Sequence, residues 1–425
     1  MLPGRTRRAR VYNDVEYNAA SIPTKLPLID MLADNYEVVS KQPLAHCLFM
    51  AVQHLQGSFV PLLHAIVAAG VPYEYCFLIG KAYSSHPLVL DYLKRLGCII
   101  DRSDCMKSFA NSYEREMEDR IDHMLQRICN LLDTTPNTTV VLLDEGGKAV
   151  RALHERYQSY APRFRCVEQT TRGIKEIHHL PLIAPVINIA RSWGKQRIEG
   201  PLIADSMAQG LATNLDRWKH VFTLASTDVL VFGYGVVGRL VTAELLRQGY
   251  QVTIYDSDKA ALEEARFVGR RIWDDSSNLA TFSLIMSCTG SPSLSERDLG
   301  QLKSSALLVN GASSDIEFPA GQIRSIGEII YSRGAPEVST VPFQPWLNLY
   351  RAVYAGQTIH LANGGFPINF SGELDSVAPE KFQVTRALMY LGAIQAVSTN
   401  QIGIIDLDHT GQELIIHSFV DLNLS

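Results

Sequence analysis

The sequence predicts an α/β protein in which one doubly wound parallel domain is inserted into a second α/β domain, with a short C-terminal hairpin tail. Three observations predict it. Apolar runs of strand length alternate with amphipathic runs of helix length, the pattern of parallel sheets covered by helices. Within Asp228–Asp258 a glycine-rich turn joins such a strand to such a helix. The chain has 425 residues, more than one hydrophobic core ordinarily fills.

Taken in order, residues 1–26 are polar and irregular and read as an arm, with a solvated basic run at Arg5–Arg10. Pro27–Tyr36 reads as a short helix, Leu44–Val52 as an apolar strand, and Gly57–Ala69 as a helix closed by Gly70. Tyr73–Leu78 and Cys98–Ile100 read as strands around a helix, His86–Leu96, that Gly97 stops. A long helix with one charged face covers about Ser108–Leu132. The strand Thr139–Leu143 runs into Asp144-Glu145-Gly146-Gly147, and the helix Ala149–Tyr160 follows. The strand Arg165–Val167 runs into Glu168-Gln169-Thr170-Thr171-Arg172-Gly173. In parallel sheets the chemistry lies at the carboxyl ends of strands, so these two turns are candidates for it.

This first domain is expected over 27–195 and is completed by 358–398. The inserted domain is expected over 196–350, with hinges near 190–211 and 348–358. It contains strands at Leu284–Cys288 and Ala306–Asn310. Leu349–Gln357 reads as a return helix, Ile359–Phe370 as strand and turn, and Pro379–Ser398 as a helix rejoining the first domain. The tail, 399–425, alternates around His409-Thr410-Gly411 and reads as a β-hairpin.

The glycine-rich turn is the most specific motif. Val229–Phe232 is a buried strand, Gly233-Tyr234-Gly235-Val236-Val237-Gly238 has the G-x-G-x-x-G spacing, and a helix and a second strand, Val252–Tyr255, follow. Gly233 permits a tight turn, Gly235 lets a pyrophosphate approach the backbone, and Gly238 lets the helix pack on the strand. Asp256, 18 residues past Gly238, ends the second strand where a carboxylate meets a ribose diol. Asp258 adds a charge that would repel a 2′-phosphate. The domain is therefore expected to be a Rossmann domain that takes NAD rather than NADP.

Hydrophobic residues make up 46% and charged residues 20%, the balance of a soluble globular protein. The net charge of −5 argues against a nucleic-acid partner, and no apolar run is long enough to span a membrane. The N-terminus lacks the apolar core of a secretory signal. The seven cysteines form no C-x-x-C pair and read as reduced thiols of a cytoplasmic protein. No Cys, His, Asp or Glu spacing suggests a metal, and His46, His54, His86, His178 and His179 carry no ligand pattern.

Several motifs, in order, resemble the S-adenosylhomocysteine hydrolase (adenosylhomocysteinase) family from about Pro27 to Ser398. Ser40-Lys41-Gln42-Pro43-Leu44 resembles the family's SKPL segment, and Leu143–Gly147 its LDDGG turn. Glu168–Gly173 resembles EETTTG, the Pro185–Lys195 segment resembles PAINVNDSVTK, and Gly233–Gly238 resembles GYGDVG. The resemblance implies a bound NAD that oxidises a nucleoside hydroxyl and acidifies the neighbouring C–H. Elimination, water addition and return of the hydride follow. It implies Lys195 as the catalytic lysine, with Glu199 as its acidic partner and Glu145 as the base. It implies Thr170, Thr171, Cys288, Thr289, Asn310 and Asn369 at the cofactor, beside Gly233, Gly235, Val236, Val237, Gly238 and Asp256. Gln169, Phe49, Ala51 and Ser313 fall on substrate positions. A nucleoside-like substrate and a homodimer or homotetramer are implied as well.

The departures cluster. Glu145 replaces an aspartate, Gln169 a glutamate, Glu199 an aspartate and Gly200 an asparagine. Phe49 replaces a histidine, Ala51 a threonine, and the family's NIGH reads Asn310-Gly311-Ala312-Ser313, so both family imidazoles are lost. The Lys and Tyr that close over a partner's NAD have no counterpart in Val420–Ser425. Three readings stay open: an NAD-dependent enzyme acting on another nucleoside or polyol, a non-catalytic NAD-binding regulator, and a true hydrolase of S-adenosylhomocysteine. Plainer roles also stay open: a surface ion pair for Lys195 and Glu199 at i, i+4, and helix caps for Glu145, Thr170 and Thr171. Arg172, a threonine in the family, either meets a phosphate or carboxylate or lies exposed.

Overall fold

Parallel β-strands at two places along the chain, each a run of buried apolar residues, organise the computed structural model, which describes residues 22–34, 41–101, 113–274, 278–332 and 347–424. The basic run Arg5–Arg10, Ser40, Cys105 and the start of the Ser108–Leu132 helix lie outside the described residues. The first sheet holds β1 (Cys47–Gln53), β2 (Cys76–Gly80), β3 (Ile99–Ile100), β4 (Thr139–Asp144), β5 (Phe164–Glu168) and β6 (Pro185–Asn188). The second begins with β7 (Asp228–Phe232), β8 (Gln251–Tyr255), β9 (Arg271–Ile272), β10 (Leu284–Ser287) and β11 (Ala306–Asn310). It continues with β12 (Glu328–Tyr331), β13 (Leu349–Tyr354) and β14 (Gln357–Leu361), while β15 (Gly403–Asp406) returns to the first.

The first sheet runs β15-β6-β5-β4-β1-β2-β3 and every pair in it is parallel. Every residue of β1 is buried, as a parallel strand covered on both faces requires. Phe49 and Ala51 face one core, with Leu388 and Met389; Met50 and Val52 face the other, with Ile121 and Ile128. The helix Pro379–Ser398 is buried through most of its turns, as expected of an element apolar on several faces, and covers β4, β5 and β6.

The second sheet runs β12-β13-β14-β11-β10-β7-β8-β9, with antiparallel pairing only at β12, β13 and β14. In both sheets the chain order reverses in the middle, between β1 and β4 and between β7 and β10. Such a reversal leaves a crevice beyond the carboxyl ends of the two strands. Gln53 and Glu145 stand at one crevice; the glycine turn and Cys288-Thr289 stand at the other. No described helix is long and apolar enough to cross a membrane.

Three expectations are corrected. Leu349–Gln357 is not a return helix but β13 and the turn into β14, closed by Ala355 (φ 49°) and Gly356 (φ 83°). Two positive φ values suit the twist of a two-residue hairpin, and residues 349–354 bury and expose in strand fashion. Residues 357–361 therefore belong to the second sheet, and the first domain resumes after them. The C-terminal hairpin is absent: β15 lies parallel on β6, and His409–Leu424 is a helix. The Asp408 carboxylate accepts the Gly411 N–H at 2.6 Å, which stabilises that helix start. Ile415 and Leu407 bury in the first core. Within the expected arm, Ile22 and Leu26 are core residues as well.

The tail is thus a structural part of the first domain. Ile415→Ala is expected to destabilise that domain by about 2–5 kcal/mol, whereas Leu414→Ala, at a position 52% exposed, stays within about 0.5 kcal/mol. Denaturant unfolding of the two variants checks the register.

Candidate active site

The two turns at the ends of β4 and β5 are built on buried carboxylates. Asp144 accepts the N–H groups of Glu145 (2.8 Å), Ala149 (2.8 Å) and Val150 (2.9 Å), which starts the helix Lys148–Arg156. Glu168, fully buried, accepts from the N–H of Gly146 (3.2 Å) and Gly147 (2.9 Å), and from both the N–H (2.7 Å) and hydroxyl (2.6 Å) of Thr170. Burial, then the neighbouring charge of Asp144, pushes the Glu168 carboxyl up to about 8. Gly146 and Gly147 take φ of 105° and 74°, and a Cβ on Gly147 would meet the Gly173 carbonyl oxygen at 2.6 Å.

This frame turns Glu145 into the crevice. Its Oε1 accepts from Lys81 Nζ at 2.8 Å and lies 2.7 Å from His54 Nε2. Burial alone would raise the Glu145 pKa, but the charges and hydrogen bonds of His54 and Lys81 more than reverse it and hold the carboxylate ionised. Burial lowers the His54 pKa, with the charge and hydrogen bond of Glu145 opposing. His54 stacks on Phe370 at 4.7 Å between ring centroids, and its Nδ1 meets Ser84 Oγ. Phe49 and Ser313 leave the two family imidazoles without a counterpart, but a different imidazole, His54, meets Glu145. Lys81 and His54 each follow an apolar parallel strand, at its carboxyl end or one residue beyond, which is the signal that could have found them.

Buried polar atoms without a hydrogen-bond partner include Glu145 Oε2, which faces the crevice, and Gln53 Nε2, Gln169 Oε1 and Asn369 Oδ1. Gln53 and Gln169 sit at the ends of β1 and β5, the Gln53 carbonyl accepts the Lys81 N–H, and Asn369 precedes Phe370. Leaving such a group unpaired costs about 1–3 kcal/mol, a cost that a polar ligand would remove.

The dinucleotide cradle has the expected form. Gly233 has φ of 90°, and a Cβ there would meet the Cys288 carbonyl oxygen at 2.9 Å. A Cβ on Gly238 would lie 1.9 Å from the Gly233 oxygen, whereas space beside Gly235 is open. Val236 and Val237 form the first helical turn. Asp256 accepts the N–H of Tyr234 (2.6 Å) and of Asp258 (2.8 Å), so it also shapes the loop. The residues fit a dinucleotide: an open glycine facing a helix N-terminus, with a carboxylate at the next strand end.

Lys195 and Glu199 pair at 2.6 Å within a π-helical turn, both side chains nearly buried, and Thr385 donates to Glu199. This is not the surface pair of the plainer reading. A Cβ on the next residue, Gly200, would touch Val236 and Leu240 at 3.3 Å, so the turn packs against the cradle helix. Ser313 faces the crevice with Lys81, Glu145 and Arg172.

Other expected residues serve the fold. Phe49 and Ala51 are wholly buried in the core and have no exposed surface to offer a substrate. Asn310 spends its amide on the carbonyls of Ser314 (2.5 Å) and Gly365 (2.8 Å) and the N–H of Ala312 (2.7 Å). Thr170 is a helix cap that accepts the Gly173 N–H at 2.9 Å, and Thr171 is the first residue of that helix. Cys288 and Thr289 line the loop beside Gly233, but Thr289 is held by Glu317. Glu317 is fully buried and also accepts the Gly290 N–H at 2.6 Å. An isolated acid between Ile316 and Phe318 carried no sequence signal. Among the described residues no group of three or more His, Cys, Asp or Glu side chains could hold a metal ion.

The two domains meet across this crevice. Arg172 reaches from the first domain to Ser313 Oγ (3.3 Å) and Ser314 Oγ (3.2 Å), and pairs with Glu114 at 3.1 Å. Tyr83 accepts the Ser314 N–H at 3.3 Å and stacks on Phe366 at 5.1 Å. Burial would raise the Glu114 pKa, but Arg172 and Lys148 bring it down to about 2.

Comparison with known proteins agrees with this geometry. Residues 221–320 match an NAD(P)-binding family. An S-inosyl-L-homocysteine hydrolase of Methanosarcina mazei is 21% identical over 71% of this chain and 70% of its own. An adenosylhomocysteinase of Thermotoga maritima is 22% identical over 57% of this chain and 60% of its own. The chain is a distant homologue of the adenosylhomocysteinase and S-inosyl-L-homocysteine hydrolase family. An uncharacterized protein of Mycobacterium tuberculosis is 27% identical over 82% of this chain, which spans 63% of that relative's length.

Two outcomes follow. Gly238→Ala forces a Cβ against the Gly233 carbonyl and is expected to weaken NAD binding at least about tenfold, an overpacking effect of about 1–3 kcal/mol; calorimetric titration measures it. The folded pKa of Glu114 is depressed, so its contribution to stability is present above about pH 4.5 and is lost as the pH falls through about 2. Thermal unfolding across acid pH is expected to show wild type and Glu114→Gln converging toward the lower limit.

Proposed function

We propose that the chain is an NAD-dependent enzyme of the adenosylhomocysteinase type that transiently oxidises a hydroxyl of a nucleoside or polyol other than S-adenosylhomocysteine and then carries out an elimination or addition. One observation carries this reading: Glu145, held by His54 and Lys81 through Oε1 with its buried Oε2 left unpartnered, lines a crevice with Arg172 of the first domain and Ser313 of the second. Bound NAD would supply reversible hydride acceptance, held by Gly233, Gly235, Gly238 and Asp256. The pair Asp256 and Asp258 favours NAD over NADP by charge.

Lys195 would take the proton of the hydroxyl and return it, its amine positioned by Glu199 and, through Glu199, by Thr385. Glu145 would take a C–H proton on Oε2, the oxygen that His54 and Lys81 leave free. Gln169 and Asn369 would bind substrate hydroxyls without adding charge. The closely packed Tyr83, Phe366 and Phe370 would keep water out. The relatives' names differ in the base of the nucleoside, adenosyl in one and inosyl in the other.

With NAD and a panel of nucleosides and polyols, wild type is expected to develop the absorbance of reduced nicotinamide. Lys195→Ala is expected to lower that rate about 10²–10⁴-fold with NAD still bound. Bound NAD that no compound of the panel reduces would instead favour a non-catalytic, NAD-sensing relative.

A further inference from the structure

Glu145 stands between two openings. On one side it lines the crevice with Lys81, Arg172 and Ser313. On the other, His54 separates it from a second opening, lined by Gln56, Ser84, Ser85, His86 and Glu373. We propose that Ser84, His54 and Glu145 form a proton relay that joins the buried carboxylate to this second opening. The proposal rests on the reading of Glu145 as a base and names the route by which its proton leaves and returns.

The geometry supplies an unbroken chain. Glu145 Oε1 lies 2.7 Å from His54 Nε2, and His54 Nδ1 meets Ser84 Oγ. Ser84 lines the opening and also reaches the Lys81 carbonyl at 3.4 Å. The ring is fixed by Phe370 stacked on one face and the edge of Tyr83. Glu145, Lys81 and Arg386 are the charged groups that act on it. In a neutral ring, Nε2, 2.7 Å from the acceptor oxygen of Glu145, carries the hydrogen and Nδ1 accepts from Ser84.

In this setting a proton moves inward by three concerted hops. A proton from water in the opening bonds to Ser84 Oγ as the hydroxyl proton passes to Nδ1. The Nε2 proton passes to Glu145 Oε1, and the carboxylate is neutralised. Three bonds to hydrogen form at the protein atoms as three break. The inward hops leave the ring hydrogen on Nδ1; from that state they run backward, the Glu145 Oε1 proton passing to Nε2 as the Nδ1 proton passes through Ser84 to water, which restores the carboxylate without opening the aromatic seal. His54 and Ser84 act through Glu145 and are positioning residues.

The test uses the full-length protein labelled with ¹⁵N-histidine and needs no turnover. The ring that disappears in His54→Gln is expected to be neutral with hydrogen on Nε2. Ser84→Ala is expected to slow exchange of that hydrogen with water at least about tenfold, and Ser84→Thr, which keeps the hydroxyl, to restore it. Unchanged exchange in Ser84→Ala, or hydrogen on Nδ1 in wild type, overturns the relay. If no compound reduces NAD, the functional reading fails while the exchange result still decides the relay.

Discussion

Glu168 never faces the crevice, yet the crevice depends on it. Its buried carboxylate collects N–H groups from two turns that follow adjacent strands and locks them together. Without it, three backbone donors would lie unpaired beside a buried glutamine. The direction of Glu145, the start of the helix Thr171–Ile177 and the reach of Arg172 toward the second domain all follow from this one group.

The charged groups around it form buried ion pairs. A buried ion pair gains little over well-packed apolar residues, because removing two charges from water offsets their attraction. Here there are two such pairs, Glu145 with Lys81 and Glu199 with Lys195, and both carboxylates act on Arg386. Arg386 is fully buried and donates to Ser58 Oγ at 3.2 Å and Gln53 Oε1 at 3.5 Å, with its guanidinium over the rings of Phe59 and Phe382. Burial pulls its pKa down to about 10, against the charges of Asp375, Glu145 and Glu199.

The strand and helix sequence of both domains was legible wherever an apolar run was flanked by glycine, as at Val229–Gly238 and Thr139–Gly147. It misled at Leu349–Gln357, where a mixed apolar segment suits either period and the partner strand decided. The tail misled for a similar reason: a parallel edge strand leaves no hairpin mark, because its partner β6 lies more than two hundred residues away. In the candidate site, residues inside motifs were legible, including Lys195, Glu145 and the glycines. Those recruited from the ends of other strands were not.

By itself the sequence determined the α/β class, the glycine cradle and the acids at the strand ends. These are local consequences of period, glycine freedom and spacing. Only the tertiary structure decided that Phe49 and Ala51 are packing residues, that Asn310 braces a loop, and that His54 and Lys81 converge on Glu145. Those assignments depend on which strand ends meet at the reversal of a parallel sheet, and that meeting is made by pairing between residues far apart in the chain.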